Sequence, residues 1–159
     1  MELLSRLYKI ISKSGMKIMS LAEPQKKMSK SDENTNAVVY ILDDKDTIIR
    51  KFRRAVTDSD TCVRFAEGKD GINNLLTIYS AVTGKSIDDA VKEFAGQGYG
   101  TFKMAVGEAV ADHLAPVREN YAKLIADKAY LKECYTRCDA EALRYSQRIL
   151  SKVYRKVGF

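Results

Sequence analysis

Apolar residues recur at spacings of three and four in most of the chain after Asp43, except in the polar, irregular stretch of residues 57–70, and this helical periodicity constrains the fold more than any other feature. The 159 residues include only two prolines, Pro24 and Pro116, so little interrupts the pattern. Hydrophobic residues make up 45% and charged residues 30%, a balance that argues against disorder and is typical of a globular protein. The sequence therefore predicts a mainly α protein of one ordinary domain or two small ones.

The helical pattern breaks into five segments with their own start and stop signals. Asp43 and Asp44 provide capping carboxylates for the first, and Ser86 opens a capping box for the third. Gly84 is a stop, and Pro116 should kink or divide the fourth helix. The predicted helices run from 43 to 56, from 71 to 83, from 86 to 95, from 102 to 124 and from about 139 to 157.

The first 42 residues have a different composition. Apolar residues at helical spacing between Leu3 and Ile11 predict a short amphipathic helix. A β-branched and aromatic run from Ala37 to Leu42 predicts a short strand. From Glu23 to Asn36 the chain is rich in Lys, Ser, Asp and Asn, which predicts a long basic loop.

Charge is spread along the chain and gives a net value of +6. This excess favours either an anionic partner or simply a solvated basic surface. We expect no membrane association and a cytoplasmic location, because charged residues interrupt every apolar stretch near the start. The interrupting residues are Arg6, Lys9, Lys13 and Lys17.

Three cysteines and one histidine are the remaining candidates for special chemistry. Cys62, Cys134 and Cys138 are an odd number without the spacing of a disulfide framework, which predicts free thiols. A zinc site would need further ligands, and His113 is the single histidine, so we expect no metal site.

Two predicted helices carry basic residues opposite their apolar faces, and both stripes fit either a solvated surface or contacts with RNA phosphates. In the first helix these residues are Arg50, Lys51, Arg53 and Arg54. In the last helix they are Arg144, Arg148, Lys152 and Arg155.

The stretch from Lys26 to Asp32 is the most informative part of the sequence about binding and catalysis. It places three lysines and two serines within six residues on the basic loop. Ammonium groups can meet the charge of an oligophosphate, while hydroxyl and backbone N–H groups add directional donors. The chain contains no glycine-rich Walker-type loop. The sequence therefore predicts oligophosphate binding at a lysine- and serine-rich loop.

The run Lys27-Met28-Ser29-Lys30-Ser31 matches the second signature motif of class I aminoacyl-tRNA synthetases. Upstream, Gly15-Met16-Lys17-Ile18-Met19-Ser20-Leu21 resembles a segment of the tryptophan enzymes. The chain is thus similar, from Ile10 to about Tyr121, to the carboxy-terminal part of tryptophan–tRNA ligases. Further resemblance in the same order lies in residues 55–59, 71–76 and 98–103.

This resemblance implies an enzyme that activates tryptophan with ATP and transfers it to tRNA(Trp). It implies that residues 1–42 are a remnant of a Rossmann-like catalytic domain and that residues 43–159 form an all-α helical-bundle domain that meets the tRNA anticodon arm. Lys27 and Lys30 would stabilise the transition state, and Ile18 would contact adenine through its backbone. The implied ATP-binding residues are Ile18, Lys27, Met28, Ser29, Lys30 and Ser31.

The resemblance also implies partners. ATP with Mg²⁺ would be a substrate, no cofactor would be tightly bound, and the family forms homodimers. Residues Arg144, Arg148, Lys152 and Arg155 would contact tRNA, unless the last helix packs against the catalytic domain instead.

The first class I signature contains paired histidines, and the chain has only His113. In the family, the tryptophan pocket lies in the amino-terminal half of the enzyme, and the resemblance of this chain does not extend to that half. We therefore expect a fragment without activity of its own. Two alternatives are a fragment of a tyrosine–tRNA ligase and a non-catalytic RNA-binding helical module.

Overall fold

The computed structural model describes residues 17–158, and these residues form five helices and no strand. The fold is therefore mainly α, as predicted. The helix predicted between Leu3 and Ile11 lies outside the described residues. The helices are α1 (Lys45–Arg53), α2 (Asp70–Thr83), α3 (Ile87–Glu93), α4 (Tyr99–Ala126) and α5 (Lys128–Val157).

Local capping explains where three of these helices begin or end. The carboxylate of Asp44 accepts a hydrogen bond from the Thr47 backbone at 2.7 Å and so caps α1. Ser86 accepts from the Asp89 backbone at 3.1 Å and donates to its carboxylate at 2.6 Å, which is a capping box. Gly84 ends α2 with φ of 74°, a left-handed conformation that favours glycine. The predictions for Asp44, Ser86 and Gly84 are confirmed, whereas the Asp43 carboxylate accepts from Tyr40 and Lys51 instead of capping the helix.

Other helix boundaries differ from the predicted ones. Helix α1 stops at Arg53, since the backbone N–H of Val56 donates to the Leu21 carbonyl at 2.8 Å instead of continuing the helix. Helix α4 runs without a break through Pro116. Helix α5 begins at Lys128 rather than near residue 139, because the Asp127 carboxylate caps it by accepting from Tyr130 at 2.9 Å.

The strand predicted from Ala37 to Leu42 is wrong. The Ala37 carbonyl accepts from the Leu21 backbone at 3.0 Å, but the next backbone groups pair with side chains. The Val38 carbonyl accepts from the Lys51 ammonium at 2.8 Å, and the Tyr40 N–H donates to the Asp43 carboxylate at 2.9 Å. The segment is thus an irregular turn, although its composition favours a strand.

The chain divides into two compact units, residues 1–116 and residues 117–159. Unit 1 contains an apolar core built from all of its described helices and from Leu21. The rings of Phe94 and Phe102 meet edge to face with centroids 4.9 Å apart, and Tyr79 packs on Phe94 at 5.4 Å. The apolar face predicted for α2 is buried at Ile72, Leu75, Leu76 and Tyr79, whereas Val82 is half-buried.

A polar cluster closes the irregular segment that precedes α2. The Lys69 ammonium lies 3.0 Å from Asp58, 2.9 Å from Asp60 and 2.8 Å from the Tyr99 hydroxyl. The hydrogen bond from Lys69, together with bonds from two backbone N–H groups, lowers the pKa of Asp60 to about 2. Burial raises the pKa of Asp58, but bonds from Lys69 and Tyr99 outweigh it and lower that pKa.

Unit 2 consists of the end of α4 and the whole of α5, and no residue of α5 is buried. The thiols of Cys134 and Cys138 lie on this helix and are free, as is that of Cys62 in unit 1. Across residues 17–158, no helix is long and apolar enough to cross a membrane. The same residues contain no group of three or more His, Cys, Asp and Glu placed to hold a metal ion.

We predict that Gly71→Ala destabilises unit 1. A Cβ at this position would lie 2.2 Å from the Val56 carbonyl oxygen, so α2 would have to move away from the segment that follows α1. We expect a loss of about 2 kcal/mol in the free energy of unfolding, measured by urea titration with circular dichroism. The control is Gly100→Ala in α4, where the added Cβ meets no atom within 4 Å. That variant should gain up to about 1 kcal/mol, and equal stability of the two would contradict the prediction.

Candidate phosphate-binding site

Residues 18–28 form a narrow hairpin that leads into the lysine- and serine-rich loop. The Ser20 N–H donates to the Lys26 carbonyl at 2.9 Å, and the Met28 N–H donates to the Ile18 carbonyl at 3.0 Å. Between them Met19 and Lys27 make an isolated antiparallel bridge. The hairpin therefore places Ile18 beside Met28, although ten positions separate them in the chain.

One amide side chain on α2, that of Asn74, makes two hydrogen bonds to this hairpin. The Asn74 amide nitrogen donates to the Met19 carbonyl at 2.8 Å, and its oxygen accepts from the Met19 N–H at 2.9 Å. Asn74 is 5% exposed, so both bonds are shielded from water. The preceding residue, Asn73, makes the same pair of bonds to Ala66, at 2.7 and 3.2 Å. The two neighbouring asparagines thus hold two different backbone segments.

The apolar and charged members of the site face different surroundings. Ile18 and Met28 are half-buried and pack against the core of unit 1. They line an apolar cavity of about 680 Å³ together with Val39, Phe52, Val110 and Leu114. Met28 therefore seats the loop. The side chains of Lys27, Ser29, Lys30 and Ser31, in contrast, are exposed.

The lysine loop, residues 27–31, brings its hydroxyl groups together. The Ser29 and Ser31 hydroxyl oxygens are 3.0 Å apart, and the Ser31 N–H donates to the Ser29 hydroxyl at 3.4 Å. The Asp32 N–H donates to the Ser29 carbonyl at 3.2 Å, which closes a turn. Two hydroxyls thus lie on one small patch of the loop.

The three lysines of this region differ in their partners. Lys26 pairs with Glu23 at 2.5 Å, and that hydrogen bond raises the pKa of Lys26. Neither Lys27 nor Lys30 takes part in an ion pair within the described part of the chain. No carboxylate among residues 17–158 therefore neutralises their charges. Two such ammonium groups beside two hydroxyls suit an oligophosphate, whose oxygens carry several negative charges.

The structure thus brings together the six residues that the sequence predicted for this site. Residues Arg144, Arg148, Lys152 and Arg155 all lie exposed on α5, in unit 2. Their side chains recur every three or four positions and so share one face of that helix.

Sequence reasoning missed three residues that support the loop. Lys51 was predicted on a solvated face but is 5% exposed, because its ammonium finds partners inside the fold. Tyr40 donates from its hydroxyl to the Lys30 carbonyl at 3.4 Å. Asn74 stood within a segment that the resemblance singled out, but the contact that it makes is 55 positions away.

Comparisons with known proteins agree on one family. A family model described as tRNA synthetases class I (W and Y) matches residues 3–115. The tryptophan–tRNA ligase of Wolinella succinogenes is 44% identical over 149 residues, which are 94% of this chain and 45% of that protein. That of Caldanaerobacter subterraneus subsp. tengcongensis is 46% identical over 147 residues, 91% of this chain and 45% of that protein.

A solved structure shows the same fold. Tryptophanyl-tRNA synthetase from Mycoplasma pneumoniae aligns with a TM-score of 0.71 at 28% identity. The alignment covers 94% of this chain and 46% of that one. The chain therefore spans a little under half the length of the relatives that it matches.

We predict that Asn74→Ala destabilises the chain and also weakens oligophosphate binding, because the hairpin loses its attachment to α2. Removing a buried bidentate amide should cost about 1–3 kcal/mol of unfolding free energy. The matched control is Asn73→Ala, which removes the same bonds at Ala66. It should lower stability while leaving the affinity for tripolyphosphate, measured by calorimetry, unchanged. Equal affinity losses in both variants would show that the hairpin attachment is not specific to the site.

Proposed function

The chain belongs to the class I tRNA synthetase family of the tryptophan and tyrosine enzymes, and on that basis we propose that it is the part of a tryptophan–tRNA ligase that holds the phosphates of ATP. The observation that carries the proposal is the lysine loop, where Lys27 and Lys30 have no ion-pair partner among residues 17–158 and the Ser29 and Ser31 hydroxyl oxygens lie 3.0 Å apart. Relatives at 44% and 46% identity that are named tryptophan–tRNA ligase favour tryptophan over tyrosine. They also favour the enzyme over a non-catalytic RNA-binding module.

The proposed chemistry follows from where charge develops. When tryptophan is activated with ATP, pyrophosphate leaves and negative charge builds on its oxygens. Lys27 and Lys30 would meet that charge, and the hydroxyls of Ser29 and Ser31 would add hydrogen bonds. Contacts that strengthen as the charge builds lower the barrier instead of only tightening binding.

The adenine would lie next to the phosphate groups. The hairpin places the backbone of Ile18 beside Met28, at the start of the lysine loop. We propose that the Ile18 backbone contacts adenine while residues 27–31 contact the phosphates. ATP would enter as a substrate with Mg²⁺, and we expect no tightly bound cofactor.

The proposal assigns residues 1–42 to a catalytic domain and residues 43–159 to a helical domain that binds tRNA. The chain contains one histidine, His113, so the paired histidines of the first class I signature are not among these residues. We therefore propose that the 159 residues alone do not support tryptophan-dependent exchange of pyrophosphate into ATP. A homodimer in the cytoplasm, with tRNA(Trp) as partner, is the assembly that we expect for the complete enzyme.

We predict that Lys30→Ala and Lys27→Ala each weaken ATP binding about tenfold, the size expected when a hydrogen bond between charged groups is lost. The measurement is calorimetric titration of the 159-residue chain with ATP and, separately, with adenosine. Adenosine affinity should not change, because adenosine lacks phosphates.

Lys26→Ala is the matched control, since the Lys26 ammonium group already forms an ion pair with Glu23. It should change ATP affinity less than about twofold, because an exposed lysine that already has a carboxylate partner contributes little to a further electrostatic contact. Equal losses at Lys26 and Lys30 would mean that only net charge matters, and the proposed role of the loop would then be wrong.

We further propose that Arg144, Arg148, Lys152 and Arg155 contact tRNA. All four are exposed on one face of α5. The Arg144 guanidinium lies 5.0 Å from the Tyr145 ring centroid, and the Arg155 side chain donates to the Ser151 carbonyl at 3.3 Å. Both arginines are thus held to the helix surface, where they can meet phosphate groups.

Reversing Arg148 and Lys152 to Glu should weaken tRNA(Trp) binding at least about tenfold and reduce the slope of affinity against salt concentration by roughly two. The measurement is a filter-binding titration at several salt concentrations. Lys132→Glu, on the opposite side of α5, is the control and should have a smaller effect. If the double reversal leaves affinity unchanged, α5 does not contact tRNA and its basic face is only a solvated surface.

A further inference from the structure

Lys51 is a buried lysine that the proposed chemistry does not use. Its ammonium donates to the Val38 carbonyl at 2.8 Å and to the Asp43 carboxylate at 2.6 Å. It also lies 4.8 Å from the centroid of the Tyr40 ring. A buried charge is costly unless it is paired and hydrogen-bonded, and here three neighbours stabilise it.

Helix α1 fixes this ammonium in place. The residues on either side of it in the helical pattern, Ile48 and Phe52, are 0% and 1% exposed in the core of unit 1. The position of Lys51 is therefore set by close packing. Groups that bind this ammonium are therefore fixed in position relative to the core.

The ammonium holds the irregular turn of residues 38–43. Within this turn the Tyr40 N–H donates to the Asp43 carboxylate at 2.9 Å, and the Asp43 N–H donates to the Tyr40 carbonyl at 3.1 Å. The same carboxylate oxygen of Asp43 accepts from both Tyr40 and Lys51. Residues 38–43 belong to no helix or strand, so the contacts with Lys51 are a main support of this turn, beside its internal hydrogen bonds and the packing of Val38 and Val39.

Residues 38–43 also contact the lysine loop. The Tyr40 hydroxyl donates to the carbonyl of Lys30 at 3.4 Å. In the stretch from residue 17 to residue 158, Tyr40 is the only residue outside the loop whose side chain hydrogen-bonds any of residues 29–31. At 3.4 Å this bond is at the long end of the hydrogen-bond range and is therefore weak.

We infer that Lys51 and Tyr40 are positioning residues for the lysine loop. Lys51 shapes the 38–43 turn around its ammonium, and the turn directs the Tyr40 hydroxyl to the backbone of Lys30. Neither residue contacts the phosphates; both act through the position of the Lys30 ammonium group. The inference rests on the proposed function for the identity of the ligand, but the link between Tyr40 and the loop can be measured without any ligand.

The first test is Tyr40→Phe in the 159-residue chain. This variant keeps the ring beside the Lys51 ammonium and loses only the hydroxyl. We expect ¹⁵N relaxation order parameters at Ser29, Lys30 and Ser31 to fall from near the rigid value of about 0.85 toward about 0.6. Order parameters in α1 and α2 should stay the same, which a general loss of stability would not allow.

Tyr79→Phe is the matched control. It removes a tyrosine hydroxyl that hydrogen-bonds Glu93 at 3.2 Å, away from the lysine loop. Its order parameters at residues 29–31 should equal those of the unaltered chain. If Tyr40→Phe also leaves these values unchanged, the inference is overturned.

Lys51→Met tests the earlier step. It should increase the mobility of residues 38–43 as well as 29–31, and adding Tyr40→Phe should increase the mobility of 29–31 no further, since both changes break one chain of contacts. Additive effects would overturn the inference that Lys51 acts through Tyr40. If Lys51→Met does not fold, Tyr40→Phe combined with Asp43→Asn gives the same test of additivity.

Binding of ATP separates this inference from the proposed function. Tyr40→Phe should weaken ATP affinity roughly two- to tenfold, the loss expected for one neutral hydrogen bond. If the unaltered chain binds neither ATP nor tripolyphosphate, the proposed function is wrong, while the relaxation data still decide whether Tyr40 holds the loop. If ATP binds and Tyr40→Phe does not change its affinity, the positioning role is overturned even where loop mobility rises.

Discussion

The two hydrogen bonds between Asn74 and the backbone of Met19 join the 18–28 hairpin to α2, and the candidate site depends on that junction. Helix α2 packs closely at its start and stops at a defined residue. At its start Gly71 approaches the Val56 carbonyl so closely that no side chain fits, and at its end Gly84 adopts a left-handed conformation. The hairpin, which has two backbone hydrogen bonds between its arms, is thereby attached to a closely packed helix.

Buried and exposed lysines have different surroundings in this fold. Lys51 and Lys69 are buried, and each is surrounded by carboxylate and aromatic partners that compensate for lost hydration. Lys27 and Lys30 are exposed and have no carboxylate partner among the described residues. The buried ammonium groups thus stabilise the fold, while the exposed ammonium groups on the loop remain available to a ligand. The +6 net charge alone does not distinguish these two groups.

Features set by a few neighbouring residues could be predicted from the sequence. The caps at Asp44 and Ser86 and the stop at Gly84 each depend on contacts within five positions. The six residues of the candidate site could be named as a prediction, because they lie in one motif that resembles a known family and in the segment just before it. Contacts between distant residues could not be found in this way. The strand expected from Ala37 to Leu42 fails because Lys51, thirteen positions from Val38, takes the carbonyl that a sheet partner would need. The start of α5 was missed because Lys128 to Cys138 mixes charged residues with Tyr and Cys, which leaves its apolar stripe indistinct.

The high exposure of α5 has a thermodynamic consequence. None of its 30 residues is buried and only Leu131 and Cys134 are half-buried, so it gains little stabilisation from buried apolar area. Its helicity then depends on the balance between nucleation and propagation, and isolated helices gain and lose turns from their ends over a wide temperature range. Unit 1, with its interlocked aromatic rings, should instead melt in one cooperative step. Heating the chain would therefore give a sigmoidal loss of ellipticity superimposed on a steady slope, with the slope belonging to residues 128–157.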